Sequence, residues 1–370
     1  MTTIIECRPP VAEKSAEGHQ EQAKTRQPDI KVITEQAMWN TAITLTIGVD
    51  YPFIGAGMAM IAEPRLVAAV SEAGGIGQLG TGPLPPPLLR ELIREVRGHT
   101  SRPFAVNLIV ETTALGPATT DDHILVCTEE RVPIAVFFWN PPLERWVAKL
   151  REARCRVWIT VGSIVETSAA VALDPDAIIV QGREAGGHVR ATESLLTLLP
   201  RISSIAPDRP LIAAGGIADG RAAAAAFAAG ASAVCVGTRL VASEESAAHW
   251  EYKMRLVASE TEDTVITSLF GPEWPGVPMR VLMNSAVRRA LAPHAERSPA
   301  PSTIGETTVF GRQYTMPLNS AILPTVHTHG DFDEMCLAAG AGLSFVRKIE
   351  RAAEIVQDIM DCAARRLRFP

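Results

Sequence analysis

The chain has 370 residues, of which 47% are hydrophobic and 21% are charged, and its formal net charge is -6. This length and apolar fraction are enough to bury one large α/β barrel or two smaller domains. The acidic balance and the lack of a dense Lys/Arg cluster argue against nucleic acid as a partner. The longest segment poor in charged residues covers residues 222–238. It contains glycine and serine and is only moderately apolar, so no membrane partner is expected.

The amino-terminal residues lack the apolar segment of a secretory signal, which predicts a cytoplasmic protein. Residues 1–36 are rich in Glu, Lys, Gln, Ser and Pro and predict a flexible N-terminal arm. The six cysteines lie far apart without a C-x-x-C pair, which argues against a disulfide framework and against a zinc site. His327 and His329 have no third ligand that the sequence identifies, so no metal is predicted.

From about residue 37 onwards, short apolar runs alternate with amphipathic stretches, which is the pattern of repeated βα units. The predicted strands are PFIGAG, GIGQLG, FAVNLIV, IAVFFWN, RVWITVG, AIIVQG, PLIAAGG and AVCVGTR. Eight such units predict a TIM (β/α)8 barrel, because a six-stranded doubly wound sheet would leave two units over. Several of these strands end in glycine, asparagine, glutamine or threonine, which places small and polar groups at one face of the barrel.

The signals for helix ends also agree with a βα barrel. Gly74 suits the left-handed cap at the end of one helix, and Asp219 and Gly230 suit the beginning and end of another. Residues 37–258 and 341–370 are therefore predicted to form the barrel, with a carboxyl-terminal helix packing back onto it. Residues 259–340 are rich in proline and lack a clear period, which predicts a small inserted cap subdomain.

Two glycine turns follow the seventh and eighth predicted strands. Gly215 and Gly216 precede one helix, and Gly237 and Thr238 precede another. Glycines in these positions can simply permit tight turns, but two such turns in the last two units favour a phosphate site built from backbone amides and a helix N-terminus. A dinucleotide fingerprint does not explain the pattern, because GIGQLG is not followed directly by a helix.

The segment QGREAGGHVR places His188 after two glycines in the loop that follows the sixth predicted strand. That loop lies at the same barrel face as the phosphate turns. His188 is therefore a candidate base or hydrogen-bond donor above a flat ligand, with an exposed loop histidine as the alternative. Glu184 suits either a role beside His188 or a structural role in orienting the loop.

Taken together and in order, these motifs resemble the nitronate monooxygenase family, formerly called 2-nitropropane dioxygenases, which are FMN-dependent TIM barrels. The resemblance covers nearly the whole chain beyond the arm. It is carried by PFIGAGMAMIAEPRLVAAVSEAGGIGQLGTG, PFAVNLIV, QGREAGGHVR, PLIAAGGIADGRAAAAAFAAGASAVCVGTRLVASEES with YK soon after, and WPGVPMRVLMN.

The resemblance implies that His188 is the catalytic or substrate-positioning residue. It also implies that FMN contacts Ala56, Gly57, Met58, Asn107, Gln181, Gly186, Gly187, Gly215, Gly216, Gly237 and Thr238, with the last four holding the phosphate. Residues 160–162 are a further candidate contact. Two positions depart from the family pattern: Gly57 stands where the motif usually reads A-P-M, and Arg190 stands where a small residue is common. Gly57 loosens the turn beside the flavin, whereas Arg190 faces either an anionic substrate or solvent.

The activity implied by the resemblance is FMN-dependent oxidation of a nitronate or nitroalkane-like compound, with molecular oxygen and a small-molecule substrate as partners. The alternative within the same superfamily is an NAD(P)H-dependent flavin reductase of an enoyl thioester or a quinone. A third reading, from a different class, is a barrel that keeps FMN without catalysis. A homodimer is compatible with the sequence, which leaves the oligomeric state open.

Overall fold

The structure is a computed structural model that describes residues 39–292 and 302–367. Eight parallel strands run in the spatial order β1, β8, β7, β6, β5, β4, β3, β2. They are β1 (Phe53–Gly55), β2 (Gly77–Leu79), β3 (Phe104–Val110), β4 (Ile134–Trp139), β5 (Arg156–Val161), β6 (Ala177–Gln181), β7 (Leu211–Ala214) and β8 (Ala233–Val236). The predicted arm over residues 1–36 lies outside the described residues.

The first and second strands close the ring. Ile54 forms a parallel bridge with Ile76, where Gly55 N donates to Ile76 O at 2.9 Å and Ile76 N donates to Phe53 O at 2.8 Å. Each strand is followed by at least one helix, as a βα barrel requires. The predicted TIM barrel is therefore confirmed, and all eight predicted strand segments contribute a strand.

Helices surround the ring, extend from its lower end and belong to the segment that covers its upper end. They are α1 (Ala42–Ile47), α2 (Pro64–Glu72), α3 (Pro86–His99), α4 (Asp121–Glu129), α5 (Glu144–Glu152), α6 (Ile164–Ala172), α7 (Leu195–Ile205), α8 (Gly220–Ala228), α9 (Thr238–Val241), α10 (Trp250–Val257), α11 (Ser285–Leu291) and α12 (Ala352–Leu367). The predicted caps are present: the Asp219 side chain accepts from Ala222 N at 2.9 Å, and Gly74 and Gly230 have positive φ.

Alternate residues of the strands enter two different apolar layers, because successive side chains of a strand point to opposite faces. One set fills the barrel interior, where Trp158 is among the largest fully buried side chains and Ile43 and Val49 from the segment before β1 join it. The other set, including Phe137, packs outward against the helices. Strands buried on both faces explain the nearly continuous apolar runs in the sequence.

The segment between α10 and α12 covers the carboxyl ends of the strands. It contains β9 (Thr264–Thr267), β10 (Met279–Leu282), β11 (Thr303–Val309) and β12 (Arg312–Pro317), with short strand pieces at Gly187–His188 and His329–Gly330 completing two small sheets. Residues of this segment and of the barrel share one buried apolar cluster. The division into a barrel (37–258 and 341–370) and a cap (259–340) stays a prediction.

The carboxyl-terminal helix packs on the barrel as expected from its spacing of apolar residues. Ile355, Val356 and Ile359 of α12 belong to the same buried cluster as Ala223 of α8. Within the part of the chain that the structure describes, no helix combines the length and apolar character needed to cross a membrane.

Close contact between α8 and α12 makes Gly220 sensitive to substitution. A Cβ at this position would lie 2.4 Å from Cys362 Cβ and 2.7 Å from the backbone nitrogen of Ala363. We expect Gly220→Ala to lower the free energy of unfolding by about 1–3 kcal/mol through overpacking. Thermal and urea unfolding of the purified protein would measure this change.

Gly98→Ala is the matched control, because no atom lies within 4 Å of a Cβ at this position in α3. There we expect the free energy of unfolding to stay the same or to rise by about 0.5–1 kcal/mol, since alanine restricts the unfolded chain. Equal unfolding midpoints for the two variants would contradict the α8–α12 contact.

Candidate active site

A cavity of about 290 Å³ opens at the carboxyl ends of the strands. Every strand contributes a lining residue, either within the strand or directly after it: Ala56, Gln78, Asn107, Phe138, Thr160, Gln181, Ala214 and Cys235. The twelve residues proposed from the sequence all line this cavity: Ala56, Gly57, Met58, Asn107, Gln181, Gly186, Gly187, His188, Gly215, Gly216, Gly237 and Thr238. Their roles stay predictions. Of the further candidates at 160–162, Thr160 lines the cavity.

The two glycine turns after β7 and β8 lie at one side of the cavity. Gly215 and Gly216 have φ values of 114° and 71°, which L side chains rarely adopt. A Cβ on Gly216 would also lie 2.9 Å from Glu184 Cβ. Backbone amides without side chains in front of them, next to the start of α8, suit a phosphate group.

A third glycine segment, residues 338–342, completes this side of the cavity and was missed in the sequence. Gly340 N donates to Thr238 Oγ1 at 2.9 Å, and a Cβ on Gly186 would lie 2.6 Å from Gly340 N. A Cβ on Gly342 would lie 2.6 Å from Gly216 O. The closely spaced glycines of AAGAG were the available signal, but no periodic element linked them to the barrel.

The loop carrying His188 is held between the barrel and the covering segment. Gly187–His188 pairs with β10 in antiparallel register, with His188 opposite Met279, and Val189 N donates to Pro278 O at 3.0 Å. The Gln181 amide fastens the same loop, because its Nε2 donates to His188 O at 3.1 Å and its Oε1 accepts from Arg190 N at 3.0 Å. The position of the imidazole therefore depends on β6 and β10 together.

Aromatic rings enclose the His188 imidazole. The ring centroids of His188 and Trp274 are 4.4 Å apart, and those of His188 and Trp139 are 6.1 Å apart. Nε2 of His188 is buried and has no hydrogen-bond partner among the described residues. This burial lowers the pKa of His188 to about 4, since desolvation disfavours the charged form. The imidazole is neutral at physiological pH and able to accept a proton.

Arg190 does not face an open substrate site, which corrects both readings considered from the sequence. Its guanidinium donates from Nε and Nη2 to Glu166 Oε1 at 2.9 and 2.6 Å, and its Cζ lies 4.6 Å from the centroid of Trp139. The other Glu166 oxygen accepts from Gly162 N at 2.6 Å. Arg190 thus supports the Trp139 ring, whose residue has the uncommon φ of 88°.

Glu184 has the structural role considered as one alternative. Its carboxylate accepts from Leu195 N, at the start of α7, with oxygen distances of 3.3 and 3.0 Å. Its backbone oxygen accepts from Ala341 N at 2.8 Å. Glu184 therefore joins the His188 loop to α7 and to the third glycine segment.

A large part of the remaining cavity lining is apolar. It contains Trp274, Met279, Phe310, Ile322 and Leu323 from the covering segment, and Phe138 from the barrel. The described residues that line the cavity include no lysine or arginine. Their one carboxylate, Glu273, accepts from Tyr314 OH at 2.7 Å, Ser320 Oγ at 2.6 Å and Ala321 N at 2.8 Å. The cavity thus suits an apolar carbon skeleton.

Covalent and metal chemistry receive no support from the side chains at this site. Burial raises the pKa of the Cys235 thiol to about 12, so the nucleophilic thiolate is disfavoured. No group of three or more His, Cys, Asp or Glu side chains suited to a metal ion occurs among residues 39–292 and 302–367.

The fold and the site define a TIM-barrel enzyme whose strand ends combine a phosphate-type turn with a neutral histidine. Comparison with protein families shows a match of residues 40–361 to the nitronate monooxygenase family. The chain belongs to the nitronate monooxygenase family, and it is an oxidoreductase.

Similar proteins have several named activities. A probable nitronate monooxygenase from Staphylococcus saprophyticus is 32% identical over 289 residues, which span 68% of this chain and 80% of the relative. A second relative, from Mycobacterium tuberculosis, is 33% identical over 250 residues, which span 67% of this chain and 68% of the relative. It is named (3aS,4S,5R,7aS)-5-hydroxy-7a-methyl-1-oxo-octahydro-1H-indene-4-carboxyl-CoA dehydrogenase.

Two solved structures extend the likeness to the fold. FabK from Thermotoga maritima has a TM-score of 0.72 and 33% identity, covering 89% of this chain and 97% of FabK. Nitroalkane oxidase from Streptomyces ansochromogenes has a TM-score of 0.71 and 28% identity, covering 88% of this chain and 98% of that enzyme. Family membership implies a flavin cofactor.

The residues present fit a flavin mononucleotide. Glycine turns free of side chains provide amides for a phosphate, and Gly186 and Gly187 line the cavity beside them. Two buried polar atoms on its lining, Nε2 of His188 and Oε1 of Gln78, lack partners among the described residues. Buried polar groups are normally hydrogen-bonded, so these atoms indicate a ligand with polar groups.

We expect His188 to stay neutral between pH 5.5 and 7.5. Its pKa in the folded protein is depressed to about 4, below an unfolded value of about 6.5. The resulting contribution to stability is present above pH 6.5 and is lost as the pH falls from 6.5 towards 4. Imidazole nitrogen shifts of ¹⁵N-labelled protein, assigned with His188→Asn, would measure this. A titration midpoint near 6.5 would contradict the burial of the ring.

Proposed function

We propose that this protein oxidises a nitronate, or a nitroalkane-like compound, with FMN as cofactor and molecular oxygen as electron acceptor. The observation that carries the proposal is the neutral His188, whose buried Nε2 has no hydrogen-bond partner among the described residues, beside a phosphate-type glycine site in one cavity. Membership of the nitronate monooxygenase family and the likeness to a nitroalkane oxidase support the same reaction class.

In this proposal, two groups of residues bind two different parts of FMN. The amides around Gly215, Gly216, Gly237 and Thr238 hold the phosphate of FMN, with the Gly340 segment behind them. The backbone of Ala56, Gly57, Met58, Gly186 and Gly187 lies against the flavin ring. Bound FMN supplies an acceptor for the electrons of the substrate, and oxygen takes them from it.

His188 acts on the substrate directly. A neutral imidazole donates a hydrogen bond to a nitronate that arrives already ionised. With a nitroalkane it accepts the α-proton, and the nitronate anion formed beside it offsets the cost of the buried imidazolium. Trp139 and Trp274 hold the ring in place and exclude water from one side of it. Because water is excluded, the hydrogen bond to the anion is stronger than it would be in solution.

The apolar part of the cavity lining favours a second candidate, an NAD(P)H-dependent flavin reductase of an enoyl thioester or a quinone. Trp274, Phe310, Ile322 and Leu323 provide more apolar surface than a small nitroalkane needs. The carboxyl-CoA dehydrogenase among the relatives is consistent with a thioester substrate, and FabK, an enoyl reductase, is consistent with a reductase. Both candidates use the same glycine turns and the same histidine.

Replacing His188 with Asn should separate cofactor binding from turnover. We expect His188→Asn to retain FMN, because the phosphate turns are unchanged, and to lower turnover by about 10²-fold or more, in line with the loss of a general base. The flavin spectrum and steady-state oxygen consumption with a nitroalkane would measure the two effects. Unchanged turnover would remove His188 from the mechanism.

Anaerobic reduction of the bound flavin distinguishes the two candidate reactions. We expect a nitronate alone to bleach the flavin absorbance, because the substrate is itself the electron donor. NADH and NADPH should bleach it slowly or not at all under the same conditions. Rapid bleaching by a reduced nicotinamide, with none by nitronates, would overturn the oxidation and favour the reductase.

A further inference from the structure

Gln78, in the second barrel strand, has a buried amide that lines the cavity and has no assigned role. The side chain is 5% exposed, and its Oε1 atom has no hydrogen-bond partner within the described part of the chain. Its other amide atom, Nε2, donates to Asn107 Oδ1 at 3.2 Å. An unpaired acceptor buried on the wall of a cavity needs a donor from whatever fills that cavity.

A chain of hydrogen bonds sets the orientation of the Gln78 amide. The backbone oxygen of Gly57 can only accept, and Asn107 Nδ2 donates to it at 3.5 Å. Asn107 must therefore turn its Oδ1 towards Gln78, which requires Gln78 to present Nε2 as the donor. The Oε1 atom is then the end of the amide left free for a ligand.

Gly57 provides the space for this pair of amides. A Cβ at position 57 would lie 2.4 Å from Asn107 Cβ and 2.8 Å from Gln78 Nε2. Either contact would force the amides to move. The glycine that replaces the proline of the A-P-M motif thus has a physical explanation: it allows Gln78 and Asn107 to pack against the turn after β1.

We propose that Gln78 Oε1 accepts a hydrogen bond from a ring N–H group of the bound flavin. Only a donor can satisfy this atom, and the phosphate of FMN and a nitronate anion carry acceptor oxygens. The ribityl hydroxyls of FMN can donate, but they adjoin the phosphate, which the proposed site holds at the turns after β7 and β8. The flavin ring does carry an N–H group. The inference rests on the proposed FMN site. It adds a side-chain hydrogen bond from β2 to the flavin ring, which is otherwise contacted by backbone atoms.

The test compares Gln78→Leu and Gln78→Met with the wild-type holoprotein, using FMN labelled with ¹⁵N in the ring. We expect both variants to bind FMN about tenfold more weakly, because a buried flavin donor loses its acceptor. We also expect the flavin N–H proton to shift upfield in the NMR spectrum. Gln313→Leu, the same change at an exposed site on β12, is the matched control and should change neither quantity.

Gly57→Ala provides a second route to the same contact while keeping Gln78 in the chain. The added methyl group displaces the amide pair, so the flavin N–H shift should move in the same direction as in Gln78→Leu. This shift separates a contact to the ring from a general loss of stability, which would leave the N–H resonance of the bound fraction unchanged.

Two different outcomes would contradict the Gln78 contact and the proposed function. If the wild type binds FMN but Gln78→Leu has the same dissociation constant and the same N–H shift, then water satisfies Oε1 and the inference is wrong while the cofactor proposal stands. If the wild-type protein binds no FMN, the proposed function fails, and the inference fails with it.

Discussion

Closure of the barrel between β1 and β2 is the constraint on which the rest of the structure depends. The two strands are joined at Ile54 and Ile76 by only two backbone hydrogen bonds, yet without this junction the eight carboxyl ends would not converge on one cavity. Glycines of the sequence GGIG permit this close packing. A Cβ on Gly75 would lie 2.8 Å from Phe53 O of β1, and one on Gly77 would lie 1.9 Å from Val67 O of α2. These glycines serve packing of the barrel, whereas Gly215 and Gly216 face the cavity.

A second connection turns this open barrel end into an enclosed site. The loop after β6 pairs with β10, so His188 is held by the covering segment as well as by the barrel. The same segment supplies Trp274, which touches the imidazole and helps to bury it. The depressed pKa of His188 is therefore a consequence of tertiary packing between elements about ninety residues apart in the chain.

Local patterns were sufficient to predict the barrel, because each βα unit carries its own signals. Apolar runs marked the eight strands, and Asp219 and Gly74 marked helix ends. The same patterns placed the two glycine turns and the His188 loop at one face, since strand ends of a parallel barrel converge. The resemblance to the family supplied the rest of the twelve residues that line the cavity. Gln78, Trp274 and Gly340 were not predicted. Gln78 looks like any buried strand position, and the other two reach the cavity through long-range packing that has no sequence period.

Arg190 shows how the surroundings decide what a charge can do. Read alone, it suggested either recognition of an anion or a solvated charge, but Glu166 pairs with it and its guanidinium lies over the Trp139 ring. No arginine or lysine lines the cavity within the described residues. Negative charge on a ligand must therefore be stabilised by backbone amides and by His188. The N–H dipoles of these groups are fixed by the fold and keep their orientation when water is excluded from the site. They therefore stabilise charge that develops during a reaction better than a mobile side-chain cation does.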